Sequence, residues 1–526
     1  MAKKAAPGAN TEEKKPTRAR KGRQPKNDQP LTSKQRLSAI IKRVRDKLRE
    51  DAGISTDAER LPQLTWMLFL KLLDDHEKAL EEEHGARYDP ILKAPYRWRD
   101  WACPADLQTA RKGDDLLAFV NNELFEYLRK RSGSGNGTDL RDIIGKVFRG
   151  TYNLVRSGYI LREVLETLGG LNFNSLDDVH LVSHFYETML KEMRDASGKS
   201  GEFYTPRPLV RLIIDRLNPQ LGERILDPAC GTCGFLVEAY ERLKPQAKTP
   251  TARQELQANL IGVEKKTMPY LLGVMNLLLH GIDQPNLDER NTLTTPISSI
   301  KDADRVEVVS TNPPFGGEEE EGVLNNFPQG MRTKETAILF FQHIMARLKR
   351  PGGRCGVVLP NGFLFGTGVA GEVKKLLLQR FNLHTVVRLP EGVFQPYTNI
   401  PSNVLFFEAR EPNDTGWSTN EIWYYEHPLP EDRKYSKTRP LEFEEFRPLF
   451  DWWDEREETD RAWKVPVRQV IDNGFNLDLK NPRAAAKLEH LPPEQLVESI
   501  VEKERRILGI MEEIKGLLAS GPKTAG

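Results

Sequence analysis

The sequence predicts an α/β protein in which a sheet domain of nucleotide-binding type lies between a mainly α-helical N-terminal domain and a helical C-terminal tail. Three observations predict it. Apolar residues recur at spacings of three and four early in the chain; a short strand, a glycine-bearing loop and a helix follow around Leu226 to Leu236; and a second apolar strand ends in an acid at Glu264. The expected divisions are 1–30 for a disordered basic arm, 31–170 for the helical domain, 171–475 for the sheet domain and 476–526 for the tail. At 526 residues the chain can bury a substantial core in more than one domain.

The net charge of +1 says little as a total, but its distribution is uneven. Lys3, Lys4, Lys14, Lys15, Arg18, Arg20, Lys21, Arg23 and Lys26 face only Glu12 and Glu13 in the arm, with no apolar period. Such an arm either touches DNA phosphate or a partner, or serves as a solubilising tail. A first helix carries Leu37, Ile40, Ile41, Val44 and Leu48 behind the candidate caps Thr32 and Ser33. A second carries Leu64, Trp66, Met67, Leu68, Phe69, Leu72 and Leu73, and further helical stretches are expected over 116–128 and 140–155. Between them, Tyr96-Arg97-Trp98-Arg99-Asp100-Trp101 interleaves arginines with aromatics. That pattern can grip nucleic acid, but packing of the tryptophans between helices is the expected role. A helix over 178–193 leads into the sheet domain.

The sheet domain begins with a strand over 224–226 and the loop Asp227-Pro228-Ala229-Cys230-Gly231-Thr232-Cys233-Gly234. Gly231 and Gly234 permit positive φ and close backbone approach, while the following helix offers N-H groups to a carboxylate or other polar ligand. The loop is not GxGxxG and no Lys-Ser/Thr pair follows, so an adenosine-bearing ligand other than a dinucleotide or triphosphate is expected. Glu264, closing the next strand, can accept both hydroxyls of a ribose. The apolar helix after it, with Met268, Leu271, Leu272, Met275, Leu277, Leu278 and Leu279, is short of the roughly 20 residues that a membrane span needs, and is expected in the core.

Asn312-Pro313-Pro314-Phe315 follows another apolar run and opens into Gly316-Gly317. The prolines fix φ near −65° and bias each preceding residue toward extended geometry, so the Asn312 side chain and the adjacent carbonyls converge as acceptors for an amino group. Phe315 adds a face on which a planar base could stack. The loop beyond contains Glu318-Glu319-Glu320-Glu321, expected to face solvent, the preferred reading, or a basic partner surface, because four acids beside a DNA site would repel phosphate. Cys230 and Cys233 form C-x-x-C, yet the chain has four cysteines in all and no second pair, which argues against zinc or redox chemistry. Scattered cysteines, no signal peptide and no apolar run of membrane length suggest a reducing cytoplasm and no membrane.

The order of these segments resembles that of S-adenosylmethionine-dependent amino-methyltransferases acting on DNA adenine, most closely the modification (M) subunit of type I restriction-modification systems, and the resemblance covers nearly the whole chain. It implies a Rossmann-like methyltransferase domain and a site-specific, adenine-specific DNA methyltransferase activity. Gly201-Glu202-Phe203-Tyr204-Thr205-Pro206-Arg207-Pro208 resembles the family's segment at the methionine end of the cofactor. Asp227 through Gly234, including Gly231, Thr232 and Cys233, resembles the cofactor loop, with Asp227 anchoring the loop and the methionine end. Glu264 resembles the ribose-binding acid, Asn291-Thr292-Leu293 the segment near the cofactor adenine, and Asn312 to Phe315 the catalytic motif in its adenine-specific form. Cys233 departs from the family, which usually has a small residue without sulfur there.

Downstream, 352–362 and 389–394 resemble later strands of the domain, and 475–482 a segment near the family's C-terminus. Past Phe407 the strand signal fades except at 422–425. The last helix places Ile500, Ile507 and Ile514 at one heptad position and Leu496, Ile510 and Leu517 at another, a seam that wants a partner helix or packs back on its own domain. The resemblance implies double-stranded DNA as substrate, a specificity (S) subunit that supplies sequence choice and on which the C-terminal helices dock, a second copy of this chain, and a restriction (R) subunit in the full complex. Methylation of glutamine amides on proteins, and a non-catalytic assembly role, are the rival readings.

Overall fold

The computed structural model describes residues 33–106, 108–133, 139–171, 173, 205–395, 398–411, 416–430, 433–436 and 439–483, with 504–505, 507–512 and 515. The basic arm, Glu202, Phe203, Tyr204, the helix expected over 178–193 and most of the C-terminal helix lie outside them.

Strands β1 (Ile225–Asp227), β2 (Leu260–Glu264), β3 (Asn286–Glu289), β4 (Val308–Thr311), β5 (Arg354–Pro360), β6 (Phe381–Arg388), β7 (Ser402–Ala409), β8 (Glu421–Glu426) and β9 (Ala462–Pro466) form one nine-stranded sheet in the order β3-β2-β1-β4-β5-β7-β6-β8-β9. The first five in that order run parallel, β7 is antiparallel to both neighbours, β8 is parallel to β6, and β9 is antiparallel to β8. Every residue of β1 and β4 is buried, as expected of short apolar strands with helices on both faces. The helices Gly234–Leu243, Pro250–Ala258 and Thr267–Leu279 connect the strands on one side of β1, and Thr336–Arg347 and Val369–Arg380 those on the other. Strand order therefore reverses between β1 and β4, which opens a crevice at their carboxyl ends. This is the Rossmann-like α/β architecture that the sequence predicts.

The N-terminal domain is helical, as expected, with a long helix at Asp57–His84 started by the Thr56 and Glu59 capping box. Trp66, Phe69, Trp98, Trp101, Phe125 and Phe148 are fully buried together, and Trp66 meets Phe125 edge-on at 5.2 Å. The arginines interleaved with these aromatics are occupied: Arg97 pairs with Asp100 at 2.8 Å, and Arg99 with Asp74 at 2.8 Å and Glu81 at 2.6 Å. The aromatic-basic cluster is therefore packing. Lys146 reaches Asp288 of β3 at 3.0 Å, so this domain rests against the edge strand of the sheet.

Four expectations need correction. The stretch over 116–128 is broken by a π-helical turn at Phe119–Leu124, and the helix from Leu140 ends at Arg149. Beyond it, side chains take the backbone groups that a helix would have used: Gln63 bonds the Tyr152 carbonyl and the Leu154 N-H, both at 3.0 Å, and Asp51 accepts from Arg156 and Ser157. Residues 389–394 form a turn after β6 rather than a strand, because β6 has already ended at Arg388. Strand β9 is not signalled by the sequence; Trp463 and Val465 bury against β8 while Lys464 points out, a pattern too short to stand out. Ile507, Leu508, Ile510 and Met511 are exposed, so among the described residues nothing of this chain packs back onto them.

Asp51 is buried and accepts three backbone N-H groups, from Gly53, Arg156 and Ser157. Asp51→Ala orphans them together and is expected to destabilise the N-terminal domain by about 2–4 kcal/mol, read by chemical denaturation, with Asp51→Asn intermediate.

Candidate active site

The crevice is built by what happens where β1, β2 and β4 end. The loop after β1 turns through positive φ twice, at Gly231 (49°) and at Cys233 (62°), the residue that precedes the helix Gly234–Leu243. A left-handed cysteine is strained, and the surroundings hold it there: Cys233 is fully buried and its N-H meets the Cys230 carbonyl at 2.6 Å. Gly273, in the helix after β2, is required by the same packing, since a Cβ there would lie 2.7 Å from the Cys233 sulfur and 3.1 Å from the Gly231 carbonyl. Asn276 of that helix donates to the Thr232 carbonyl at 2.8 Å, and the Thr292 hydroxyl to the Pro228 carbonyl at 2.6 Å. The loop is thus braced from two sides. Neither Gly273 nor Asn276 carries a sequence signal of its own.

Two acids lie beneath the loop. Glu264 closes β2 and accepts the Gly231 N-H at 2.9 Å with one oxygen and the Lys266 N-H at 2.8 Å with the other. Each oxygen keeps a second acceptor position, the capacity that a pair of vicinal hydroxyls uses. Burial raises the Glu264 pKa above the ordinary carboxylate range, against the lowering effect of those N-H donors. Asp227, 1% exposed, is pushed up to about 7 by burial, which its Thr311 and Ala229 partners offset only in part, while Glu264 adds to the rise. The Ala229 N-H donates to it at 3.2 Å. A buried acid with few donors favours a cationic partner.

β4 leads directly into Asn312. Its Nδ2 donates to the Thr205 hydroxyl at 3.0 Å, while its Oδ1 is buried and meets no hydrogen-bond donor among the described residues. With the nitrogen held, the oxygen is left as an unused acceptor among the described residues. Pro313 is buried, Pro314 and Phe315 are partly buried, and Phe315 packs edge-on to Phe394 with ring centroids 5.6 Å apart. Phe394, at the end of the segment 389–394, thus packs against the tetrapeptide that follows β4. Thr205, expected at the methionine end of a cofactor, accepts from the Nδ2 of the Asn312 carboxamide. Pro206 precedes the helix Arg207–Leu217, and a Cβ on Gly234 would lie 3.9 Å from the Arg207 guanidinium, which sets Arg207 beside the loop.

Asn291 begins a 3-10 turn at Thr292–Thr294. Its Oδ1 accepts the Leu293 N-H and its Nδ2 donates to Glu319, both at 3.0 Å. Glu319 departs from expectation: Glu318, Glu320 and Glu321 are exposed, but Glu319 is only 8% exposed. The reason is that donors on neighbouring segments, Asn291 and Lys265, meet its carboxylate. Among the described residues no group of His, Cys, Asp and Glu side chains could hold a metal ion, and no helix is long and apolar enough to cross a membrane.

Comparison with known proteins agrees with this architecture. The sequence matches the N-6 DNA Methylase family over residues 177–490 and the HsdM N-terminal domain over 37–168. It is 43% identical to the type I restriction enzyme EcoEI methylase subunit of Escherichia coli, over 93% of this chain and 99% of that one. A solved modification subunit from Vibrio vulnificus YJ016, assigned to a type I restriction enzyme, is 49% identical and superposes with a TM-score of 0.79 over 88% of this chain and all 100% of its own. A chain from a structure concerned with complex assembly and conformational transition of the type I R-M system is 40% identical, with a TM-score of 0.73 over 94% of this chain and 100% of that chain. With both of its folded regions matched and such identity along nearly its full length, the chain belongs to the N-6 DNA methylase family, among the methylase subunits of type I restriction enzymes.

Proposed function

We propose that this chain transfers the methyl group of S-adenosylmethionine to the N6 amino group of adenine in double-stranded DNA, acting with a specificity subunit that selects the sequence, a second copy of itself and, in the full complex, a restriction subunit. The observation that carries the reading is the Asn312 carboxamide, held by Thr205 through its nitrogen and left with a buried oxygen that meets no donor among the described residues. An exocyclic amino group is the donor such an oxygen fits.

The residues around the loop fit the cofactor. Glu264 has acceptor positions for ribose hydroxyls, Asn291 lies by the nucleoside end, and Asp227 favours the cationic methionine end, with Gly231, Thr232, Cys233, Gly234, Pro206 and Arg207 around the loop and Glu202, Phe203 and Tyr204 completing that segment by resemblance. When bound, S-adenosylmethionine supplies an electrophilic methyl on a positively charged sulfur. The chain supplies acceptors and orientation. The N6 lone pair of adenine is delocalised into the ring, and hydrogen bonds from its two N-H groups to Asn312 Oδ1 and the Pro313 carbonyl draw the nitrogen toward a tetrahedral form in which the lone pair can attack. No side-chain base is needed for this: the attack would break the carbon–sulfur bond to leave a neutral thioether, and the methylated nitrogen would then give its extra proton to water. Phe315, backed by Phe394, offers a surface to the base once it has left the duplex, which offsets part of an unstacking cost of a few kcal/mol. Orientation of this kind accounts for much of the rate in a two-substrate reaction.

Both rival readings are less well supported. A decayed assembly subunit has no need of an orphaned acceptor or of two buried acids, and a relative of similar length bears the name of a type I restriction enzyme methylase subunit, which does not suit a protein substrate. The apolar residues of the C-terminal helix, exposed in the single chain, suit a docking surface for the specificity subunit.

Labelled methyl transfer to DNA by the assembled complex, followed by nucleoside analysis, tests the reaction. Asn312→Ala is expected to lose N6-methyladenine formation by at least about 100-fold while keeping near-normal cofactor affinity. Thr205→Val, which frees the Asn312 amide to rotate, is expected to lower kcat by about 10-fold with less effect on KM. Full activity in Asn312→Ala would overturn the mechanism.

Asp227 gives a pH test. Its carboxyl ionises at a higher pH in the folded chain than in the unfolded one, so between about pH 4 and 7 the unfolded chain holds fewer protons and stability falls as pH rises. Asp227→Asn is expected to flatten that fall in Tm. Wild type is expected to gain S-adenosylmethionine affinity as Asp227 ionises around pH 7, and Asp227→Asn to lose that gain.

A further inference from the structure

The loop that leaves the catalytic tetrapeptide returns to the cofactor side of the crevice, and Glu319 is where it lands. The Glu319 carboxylate accepts the Asn291 Nδ2 at 3.0 Å and lies 3.3 Å from the Lys265 ammonium through each oxygen. Its own position is pinned by the backbone: the Glu319 N-H donates to the Lys334 carbonyl at 3.0 Å, and the Thr336 hydroxyl donates to the Gly317 carbonyl at 3.0 Å. Lys265 directly follows Glu264, and Asn291 opens the turn assigned to the nucleoside end. A single carboxylate seven residues beyond Asn312 therefore touches both segments that would hold the adenosine. It also fixes which way the Asn291 amide points, since Oδ1 is taken by the Leu293 N-H and Nδ2 by Glu319. A carboxylate withdrawn from water to this degree persists only where such donors meet it.

We propose that Glu319 is a positioning residue that clamps the target-base loop to the nucleoside end of the cofactor pocket and thereby makes cofactor and DNA bind cooperatively. The proposal rests on the reading of the site given under Proposed function. A nucleoside that settles against Asn291 and Glu264 stiffens the segment carrying Lys265 and, through Glu319, the loop that begins at Asn312 and Phe315. By reciprocity, DNA that orders that loop raises cofactor affinity by the same factor.

The test uses the complex of this chain with its specificity subunit, a duplex carrying the recognised site, and S-adenosylhomocysteine as a non-reacting probe. Wild-type complex should bind the duplex at least about 5-fold more tightly with the probe than without it. In Glu319→Ala that ratio should drop to about one, with KM for S-adenosylmethionine raised and kcat at saturation changed far less. Glu319→Gln keeps an acceptor for Asn291 but loses the charge facing Lys265, and should retain part of the ratio. A purely structural role would lower Tm and the active fraction while leaving the ratio unchanged, and that outcome overturns the proposal, as does a wild-type ratio of one. Failure of the wild type to bind the probe at all overturns the cofactor reading of the site, and the clamp with it; normal probe binding with unaltered coupling in Glu319→Ala overturns the clamp alone.

Discussion

The hydrogen bond from the Gly231 N-H to the Glu264 carboxylate is the contact around which the crevice is organised. It ties the loop after β1 to the end of β2, past the last paired residues Asp227 and Gly262 and beside the backbone bond from the Cys230 N-H to the Val263 carbonyl at 3.0 Å. Once the loop is held there, Cys233 must turn left-handed to start the next helix, and that buried cysteine leaves room for nothing larger than Gly273 on the helix opposite. Strain, close packing and a buried charge are thus parts of one arrangement. The acid beneath the loop is stable there because backbone donors reach both of its oxygens.

The other half of the crevice obeys a different logic. β4 ends in a rigid dipeptide of prolines, so the Asn312 side chain needs no long-range contact to be aimed outward, but it needs one to settle which end of its amide faces a base. Thr205 settles it. The two halves are then joined by Glu319, whose carboxylate sits under the same rule as Glu264: an acid may be buried where amide and ammonium donors converge on it.

Much of this was legible in the sequence, for a reason that differs by segment. The Asp227 loop, the acid at Glu264 and the tetrapeptide at Asn312 act through local backbone geometry, so glycines, prolines and strand ends announce them. The partnership of Thr205 with Asn312 joins residues 107 positions apart and leaves no local mark. A run of four acids reads as one solvated stretch, yet burial is decided residue by residue by what lies opposite: Asn291 and Lys265 converge on the buried Glu319, whereas Glu321, with Lys334 at 3.6 Å, stays exposed. Residues beyond Arg149 read as helix on apolar content, yet Gln63 and Asp51, far upstream, captured the backbone groups that a helix would have paired. β9 was too brief to carry a period of its own.

The strand order also determines when a working site can exist during synthesis. β1 is the first strand of the sheet to leave the ribosome, yet it lies in the interior and gains its second neighbour only when β4 has been made. The helical domain, rich in local contacts, can fold well before that. The loop Asp227–Gly234 follows β1 and Asn312 follows β4, so the two halves of the crevice become adjacent in the same step that closes the middle of the sheet. A nascent chain that stops short of β4 has a folded N-terminal domain and a half-paired strand, but no place where a methyl donor and an adenine could meet.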